Sequence, residues 1–245
     1  MRACPPGRGR VWFFDLDNTL HDASHAAFGA TNRAMTEYIV DHLDMDFDAA
    51  SALRQHYWHH YGATLLGLVR HHGVRPAHFL EQTHRLPELE SKLRMSAHDR
   101  AVLRRLPGRK FILTNAPRAY TLRVMGGLRL LGAFDGILSI EDMTMFGQHR
   151  PKPDARMFRH VLARLKLRPE QCVLVEDTLM HQKAAHGLGM RTVWMRRYLD
   201  GRFRGTLRDG INSGRKVTKV GVHPCHIPPY VYARINSLKT LRALR

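Results

Sequence analysis

Four short stretches of this chain are apolar almost throughout: VWFF (11–14), KFIL (110–113), CVLV (172–175) and RTVWM (191–195). Runs without polar alternation predict strands buried on both faces, as in a parallel sheet. The segments between them are longer and carry helical periodicity, so strand and helix alternate in the manner of an α/β fold. In DARMFRHVLARLKL (154–167), Met157, Val161 and Leu165 recur at helical spacing, with Phe158 and Leu162 on the same face. Arg168-Pro169 then predicts a stop and a turn. AYTLRVMGGLRLLGAF (119–134) predicts a second helix that breaks and resumes around Gly126-Gly127. The interval 22–98 has amphipathic helical patterns and no buried-strand run, which predicts an all-helical insertion directly after the first strand. Residues 201–226 are Gly- and Arg-rich, aperiodic, and predict a loop. The last stretch, 227–245, predicts a short strand at 230–233 and a final helix, both returning to the core. The organisation is thus an α/β core over 10–21 and 99–200, interrupted by the insertion over 22–98.

A chain of 245 residues is long enough for one such core plus an insertion. Its hydrophobic fraction of 44% and charged fraction of 24% are those of an ordinary soluble globular protein. No apolar run reaches the length of a membrane-spanning helix. The opening MRACPPGRGRVWFF lacks the apolar stretch and small-residue cleavage site of a secretory signal. Cys4, Cys172 and Cys225 are widely spaced and form no CxxC, which fits free thiols in a reducing compartment. A cytoplasmic location without membrane contact is therefore expected. The net charge of +18 is unusual, and residues 201–245 hold ten Lys or Arg against one acid, Asp209. Such a tail suits nucleic acid or another polyanion. Its arginines are scattered among Gly and Thr, however, with no aromatic or helical stripe, so a general basic bias explains it better.

Each core strand ends in polar residues: Asp15 and Asp17 after the first, Thr114-Asn115 after the second, Glu176-Asp177 after the third. Ligands of open parallel sheets bind at the carboxyl ends of the strands, so the three clusters are expected to converge. Four carboxylates in one crevice repel one another unless a cation sits among them. Oxygen-only ligands favour a hard ion, and Mg²⁺ tolerates few carboxylates alongside water and a substrate phosphate. Acids after strands also serve as helix N-caps, but three clusters in register argue for a site. Lys152, flanked by prolines in HRPKPD, adds a fixed ammonium that can hold a carboxylate and a phosphate. The histidines of QHYWHHYG place His56 and His59 or His60 at zinc-compatible helical spacing. No Cys or acidic partner accompanies them, so they read as solvated or packing residues.

These motifs resemble those of the haloacid dehalogenase-like hydrolases. The first, DxDx[T/V], is Asp15-Leu16-Asp17-Asn18-Thr19; the second is Thr114 closing a strand; the third is Lys152 before a helix; the fourth is Glu176-Asp177 in VLVEDT. Order and strand context agree over roughly residues 10–200. The resemblance implies an α/β, Rossmann-like three-layer core with the 22–98 insertion as a helical cap. It also implies that Asp15 is the nucleophile on phosphorus and that Asp17 is the acid and then the base. Thr114, the Asn115 backbone N–H and Lys152 would bind the phosphoryl group. Asp15, the Asp17 carbonyl and Asp177 would hold Mg²⁺, with Glu176 direct or through water. Family members that cleave carbon–halogen bonds lack the second Asp, so Asp17 implies phosphate-ester chemistry.

Within that family the chain is most similar to the pyrimidine 5′-nucleotidase branch. FFDLDNTLHDASHAAF, YGATLLGLVRHHGV (61–74), MFGQHRPKPDARMF and VLVEDTLMHQKAAHGLGMRTVWM carry the likeness. The branch implies UMP or CMP as substrate, with Tyr61 and Thr64 as candidate base or ribose contacts. His21 is a departure, because the branch commonly has Tyr there. The motifs equally admit a phosphatase or mutase for a sugar phosphate, phosphoglycolate or pyridoxal phosphate. A small phosphorylated metabolite is the favoured partner. The reading from another class, a nucleic-acid-binding or scaffold protein on an inactive fold, sits poorly with an intact motif set.

Overall fold

The computed structural model describes residues 9–199 and 227–244, so the basic loop expected at 201–226 lies outside the described residues. Its strands are β1 (Val11–Phe14), β2 (Arg109–Leu113), β3 (Gly136–Leu138), the antiparallel pair β4 (Thr144–Met145) and β5 (Gln148–His149), β6 (Cys172–Glu176), β7 (Arg191–Met195) and β8 (Ala233–Ile235). Among the described residues, six of these form one sheet in the order β3-β2-β1-β6-β7-β8, and every pairing in it is parallel. Central position explains why β1 is apolar at all four residues: both faces are covered. Trp12 and Phe14 enter the cluster with Val102, Leu103, Tyr120 and Val124 on one side. Val11 and Phe13 enter the cluster with Met157, Phe158, Val161 and Leu162 on the other. The period of two along the strand thus feeds two helix layers.

The helices are α1 (Ala23–Ala26), α2 (Phe28–Leu43), α3 (Phe47–Tyr61), α4 (Thr64–His72), α5 (Pro76–Thr83), α6 (Leu89–Lys92), α7 (Ala97–Arg105), α8 (Arg118–Gly127), α9 (Ala155–Arg164) and α10 (Leu179–His186). Helix α9 has the expected stripe and is opened by Asp154, whose side chain accepts from the Arg156 N–H. Helix α8 runs through Gly126 to Gly127, with Leu128 as its C-cap; Arg129 is left-handed, and a 3₁₀ turn follows at Leu131–Ala133. Gly127 packs under Leu93: a Cβ there would lie 2.6 Å from the Leu93 Cδ1 atom, which would have to turn aside. From α2 to α5 the insertion builds a further apolar cluster around Tyr38, Ile39, Tyr57, Leu68 and Phe79, which Ile140 joins from beyond β3. Leu86 and Leu89 belong instead to the cluster on the sheet. No helix among the described residues is long and apolar enough to cross a membrane.

Two expectations shift near the end of the chain. The terminal strand is 233–235 rather than 230–233, because Pro228 starts a turn closed by the Val231 N–H on its carbonyl. The final helix is a 3₁₀ segment, Leu238–Ala243, capped by Ser237, with Leu238 and Leu241 buried at a spacing of three. The short edge strand β3 and the β4–β5 hairpin are additions to the sequence-based pattern.

Candidate active site

The residues that end the central strands are still held by the sheet. The Asp15 N–H donates to the Val175 carbonyl at 3.0 Å, and the Thr114 N–H donates to the Leu138 carbonyl at 3.0 Å. Their side chains are therefore aimed by the ladder rather than by a loop. Leu16 is fully buried, and Asp15 and Asp17, one on either side of it, leave the same face of the extended segment.

Lys152 reaches into this crevice and is only 1% exposed. Its Nζ donates to Asp15 Oδ1 and to Glu176 Oε2, each at 2.7 Å. Asn115 fixes its backbone from the far side: the Lys152 N–H donates to Asn115 Oδ1 at 2.9 Å, and Asn115 Nδ2 donates to the Lys152 carbonyl at 3.0 Å. Glu176 has both oxygens engaged, since Oε1 accepts from the Thr178 N–H at 3.1 Å. His181 Nδ1 lies 3.1 Å from Glu176 Oε2. Asp177 Oδ1 accepts from the Thr178 hydroxyl at 3.1 Å, and its carbonyl accepts from the Trp194 indole at 2.9 Å. Thr114 Oγ1 accepts from the Ala116 N–H at 3.0 Å, which leaves its proton to donate.

Electrostatics divide these groups. Burial pushes the Asp15 carboxyl up to about 7; Glu176 and Asp17 add to the shift, and Lys152 opposes it. Burial also penalises ionised Glu176, but Lys152 and His181 outweigh it and hold this carboxyl below its ordinary value. For Lys152 burial favours the neutral amine, yet Asp15 and Glu176 keep it above its ordinary value. Asp177 is raised well above the usual carboxylate range by burial and by the nearby Glu176 and Asp15. Among the described residues the Lys152 ammonium is shared by two of the converging carboxylates, Asp15 and Glu176. Asp15, Glu176 and Asp177 each offer an oxygen within 4.8 Å of the others. A donor set of carboxylate oxygens alone suits a hard cation.

Asp17 is the more open aspartate. Its Oδ1 accepts from the Tyr120 hydroxyl at 2.7 Å and lies 3.0 Å from His21 Nε2. Tyr120, on the first turn of α8, carries no motif that marks it as a site residue. Asn115 was expected for its backbone N–H, and its side-chain clamp on Lys152 is an additional role. The hydroxyls of Tyr61 and Thr64 make their hydrogen bonds within the insertion. The Tyr61 hydroxyl is 2.6 Å from His71 Nε2, and the buried Thr64 hydroxyl donates to the Arg54 carbonyl at 3.1 Å. The end of α3 does come up to the crevice loop: a Cβ on Gly62 would lie 3.9 Å from the Pro153 ring.

Comparison with known proteins agrees with this arrangement. Over 207 residues the chain is 28% identical to the glyceraldehyde 3-phosphate phosphatase of Pyrococcus furiosus, covering 77% of this chain and 81% of that one. Among solved structures, YfnB from Bacillus subtilis, bound to magnesium, aligns with a TM-score of 0.56 at 19% identity, covering 97% of this chain and 98% of that one. CbbY from Rhodobacter sphaeroides, solved with phosphate, aligns with a TM-score of 0.59 at 18% identity, covering 95% and 96%. The family model for haloacid dehalogenase-like hydrolases matches residues 10–189, a span that contains every strand-end cluster and Lys152. With sheet order, strand-end acids and family model in agreement, the chain belongs to the haloacid dehalogenase-like hydrolases.

Proposed function

We propose that this chain is a Mg²⁺-dependent phosphomonoesterase acting on a small phosphorylated metabolite through an aspartyl-phosphate on Asp15. The observation that carries this reading is the pair of 2.7 Å contacts from Lys152 to Asp15 and Glu176, with Asp17 on the same face. Asp15 Oδ1 is taken by the lysine, so Oδ2 is the oxygen left to attack phosphorus. The P–O bond to the alcohol breaks as the bond to Asp15 forms, and Asp17 gives the leaving oxygen its proton. Water then attacks phosphorus and gives a proton to Asp17 as the bond from phosphorus to Asp15 breaks, so inorganic phosphate leaves and the Asp15 carboxylate is restored. Thr114, the Asn115 N–H and Lys152 offset the charge on the phosphoryl oxygens. Asp15, Asp177 and the Asp17 carbonyl would hold Mg²⁺, which supplies further charge neutralisation at the transferring group. Glu176, with both oxygens already bonded, acts mainly by fixing Lys152.

For the leaving alcohol, pyrimidine nucleosides come first, on the likeness of YGATLLGL and the flanking motifs, with UMP and CMP as substrates and Tyr61 as a contact. A second reading, a short-chain phosphate, is favoured by the activity in the Pyrococcus furiosus relative's name. Phosphate release from a panel of monoesters, with and without Mg²⁺, tests both. Activity is expected with Mg²⁺ and a loss of about 10⁴-fold or more in Asp15→Asn. No release from any ester by the pure protein would overturn the enzyme reading. Release from triose or hexose phosphates but not UMP or CMP would overturn only the nucleotide assignment.

A further inference from the structure

Asp17 is held by two side chains to which neither the family motifs nor the scheme above gives a role. We infer that Tyr120 and His21 are positioning residues that lock the Asp17 carboxyl in place and dedicate its Oδ2 atom to proton transfer. This rests on the phosphomonoesterase reading, because it assigns the geometry behind the acid–base step of that reaction.

Both contacts fall on one oxygen. The Tyr120 hydroxyl donates to Oδ1 at 2.7 Å, and His21 Nε2 sits 3.0 Å from the same atom. Since a carboxylate oxygen accepts, the imidazole carries its proton on Nε2. His21 Nδ1 has no hydrogen-bond partner among the described residues, so the Asp17 carboxyl is the one group that orients the ring. An oxygen that already accepts two hydrogen bonds has little remaining capacity for a proton. The proton that passes to the leaving alcohol therefore departs from Oδ2, and the proton taken from the attacking water returns there.

The two holders come from different elements and neither is free to move. His21 is fully buried and follows the turn after β1, where it forms an isolated bridge with Asp17. Tyr120 is 2% exposed on α8, and its ring meets His84 edge-on at 5.7 Å. His84 is anchored in turn, with Nδ1 2.9 Å from the Thr83 hydroxyl and 3.1 Å from the Leu80 carbonyl. The carboxyl is thus triangulated from the loop after β1 and from the helix after β2. Misplacing a reacting group by about 1 Å can cost about 100-fold in rate, which sets the scale of the effect.

The test compares kcat/KM for two esters with Mg²⁺ present: p-nitrophenyl phosphate, whose leaving group needs little protonation, and an alkyl phosphate that wild type turns over. Tyr120→Phe is expected to lose about 10- to 100-fold on the alkyl ester and less than about threefold on the aryl ester. His21→Ala is expected to show the same split, and His21→Gln, which keeps a donor, to recover part of it. In an Asp17→Asn background, Tyr120→Phe is expected to add no further loss. Equal loss on both esters, or full additivity with Asp17→Asn, would overturn the assignment and leave the enzyme reading intact. Thermal melts of each variant separate loss of fold from loss of position, and the His21 variants carry the test if Tyr120→Phe does not fold. A wild type that released phosphate from neither ester would overturn the enzyme reading and this assignment with it.

Discussion

The crevice and the helical insertion both pair their polar side chains, but with different kinds of partner. In the crevice the contacts join opposite charges in a buried setting, as between Lys152 and the carboxylates of Asp15 and Glu176. In the insertion they join tyrosines to histidines: Tyr57 to His72 at 2.8 Å, Tyr61 to His71 at 2.6 Å and Tyr38 to His78 at 3.0 Å. Removing one partner in the crevice strands a buried charge. Removing one in the insertion leaves a polar group that water near the surface can satisfy. The hydrogen-bond lengths are alike, and their consequences are not. The chemistry is thus built where substitution is punished, and contacts to the leaving group would be built where it is tolerated.

Lys152→Met is the sharpest way to break that contrast. It leaves Asp15 and Glu176 facing each other without their shared ammonium, and an uncompensated buried charge costs about 3–5 kcal/mol. Urea unfolding is expected to show a loss of that size, together with phosphate release at background. A wild-type midpoint would mean that the crevice is as tolerant as the insertion. The second effect concerns Mg²⁺ and pH. Without a cation Asp15 keeps its proton to about pH 7 in the fold, whereas in the unfolded chain it loses it near 3.8. The folded state binds more protons over that window, so stability contributed at this site falls as pH rises through it. A Mg²⁺ ion held by Asp15 would compete with the same proton and bind more tightly as pH rises. At 100-fold excess over Kd the ion adds about 2.7 kcal/mol, or roughly 5–10 °C for a chain of this size. That gain is expected at pH 8 and to shrink at pH 5.5; melts with equal gain at both would rule out Asp15 as a ligand.

The same contrast accounts for what the sequence made legible. Strand-end acids stand out because an apolar run that stops in carboxylates has few structural explanations, and the sheet then brings the ends together. Tyr120 does not stand out: its partner is 103 residues away, and nothing in the helical period marks the turn of α8 that faces Asp17. Strand β3 was hidden because it has three residues and only Leu138 is buried. In the terminal strand β8 Ile235 alone is buried, so no apolar run marks it. Within the insertion, much of YGATLLGL serves packing. Gly62 ends α3 in the left-handed region, and Gly67 lies under the Tyr57 ring.

Gly67 supplies the third prediction. A Cβ there would sit 2.2 Å from Tyr57 Cγ, so Gly67→Ala must push the ring off α4. Overpacking of this kind costs about 1–3 kcal/mol, and the loss is expected in the melt of the insertion while kcat/KM for p-nitrophenyl phosphate changes little.

Thr64 gives the smallest effect and decides the most about the insertion. Its side chain is buried and its hydroxyl is donated to the Arg54 carbonyl, which ties the start of α4 to the middle of α3. Thr64→Val keeps the shape and removes the donor, and a single hydrogen bond of this kind is worth about 1 kcal/mol. If Thr64 serves only the α3–α4 packing, stability falls by that amount and KM for every ester is unchanged. If it contacts the leaving alcohol, KM rises for the preferred ester but not for p-nitrophenyl phosphate, and the shift exceeds anything a 1 kcal/mol loosening produces in a folded enzyme. The pair of esters separates the outcomes, because only the leaving group differs between them.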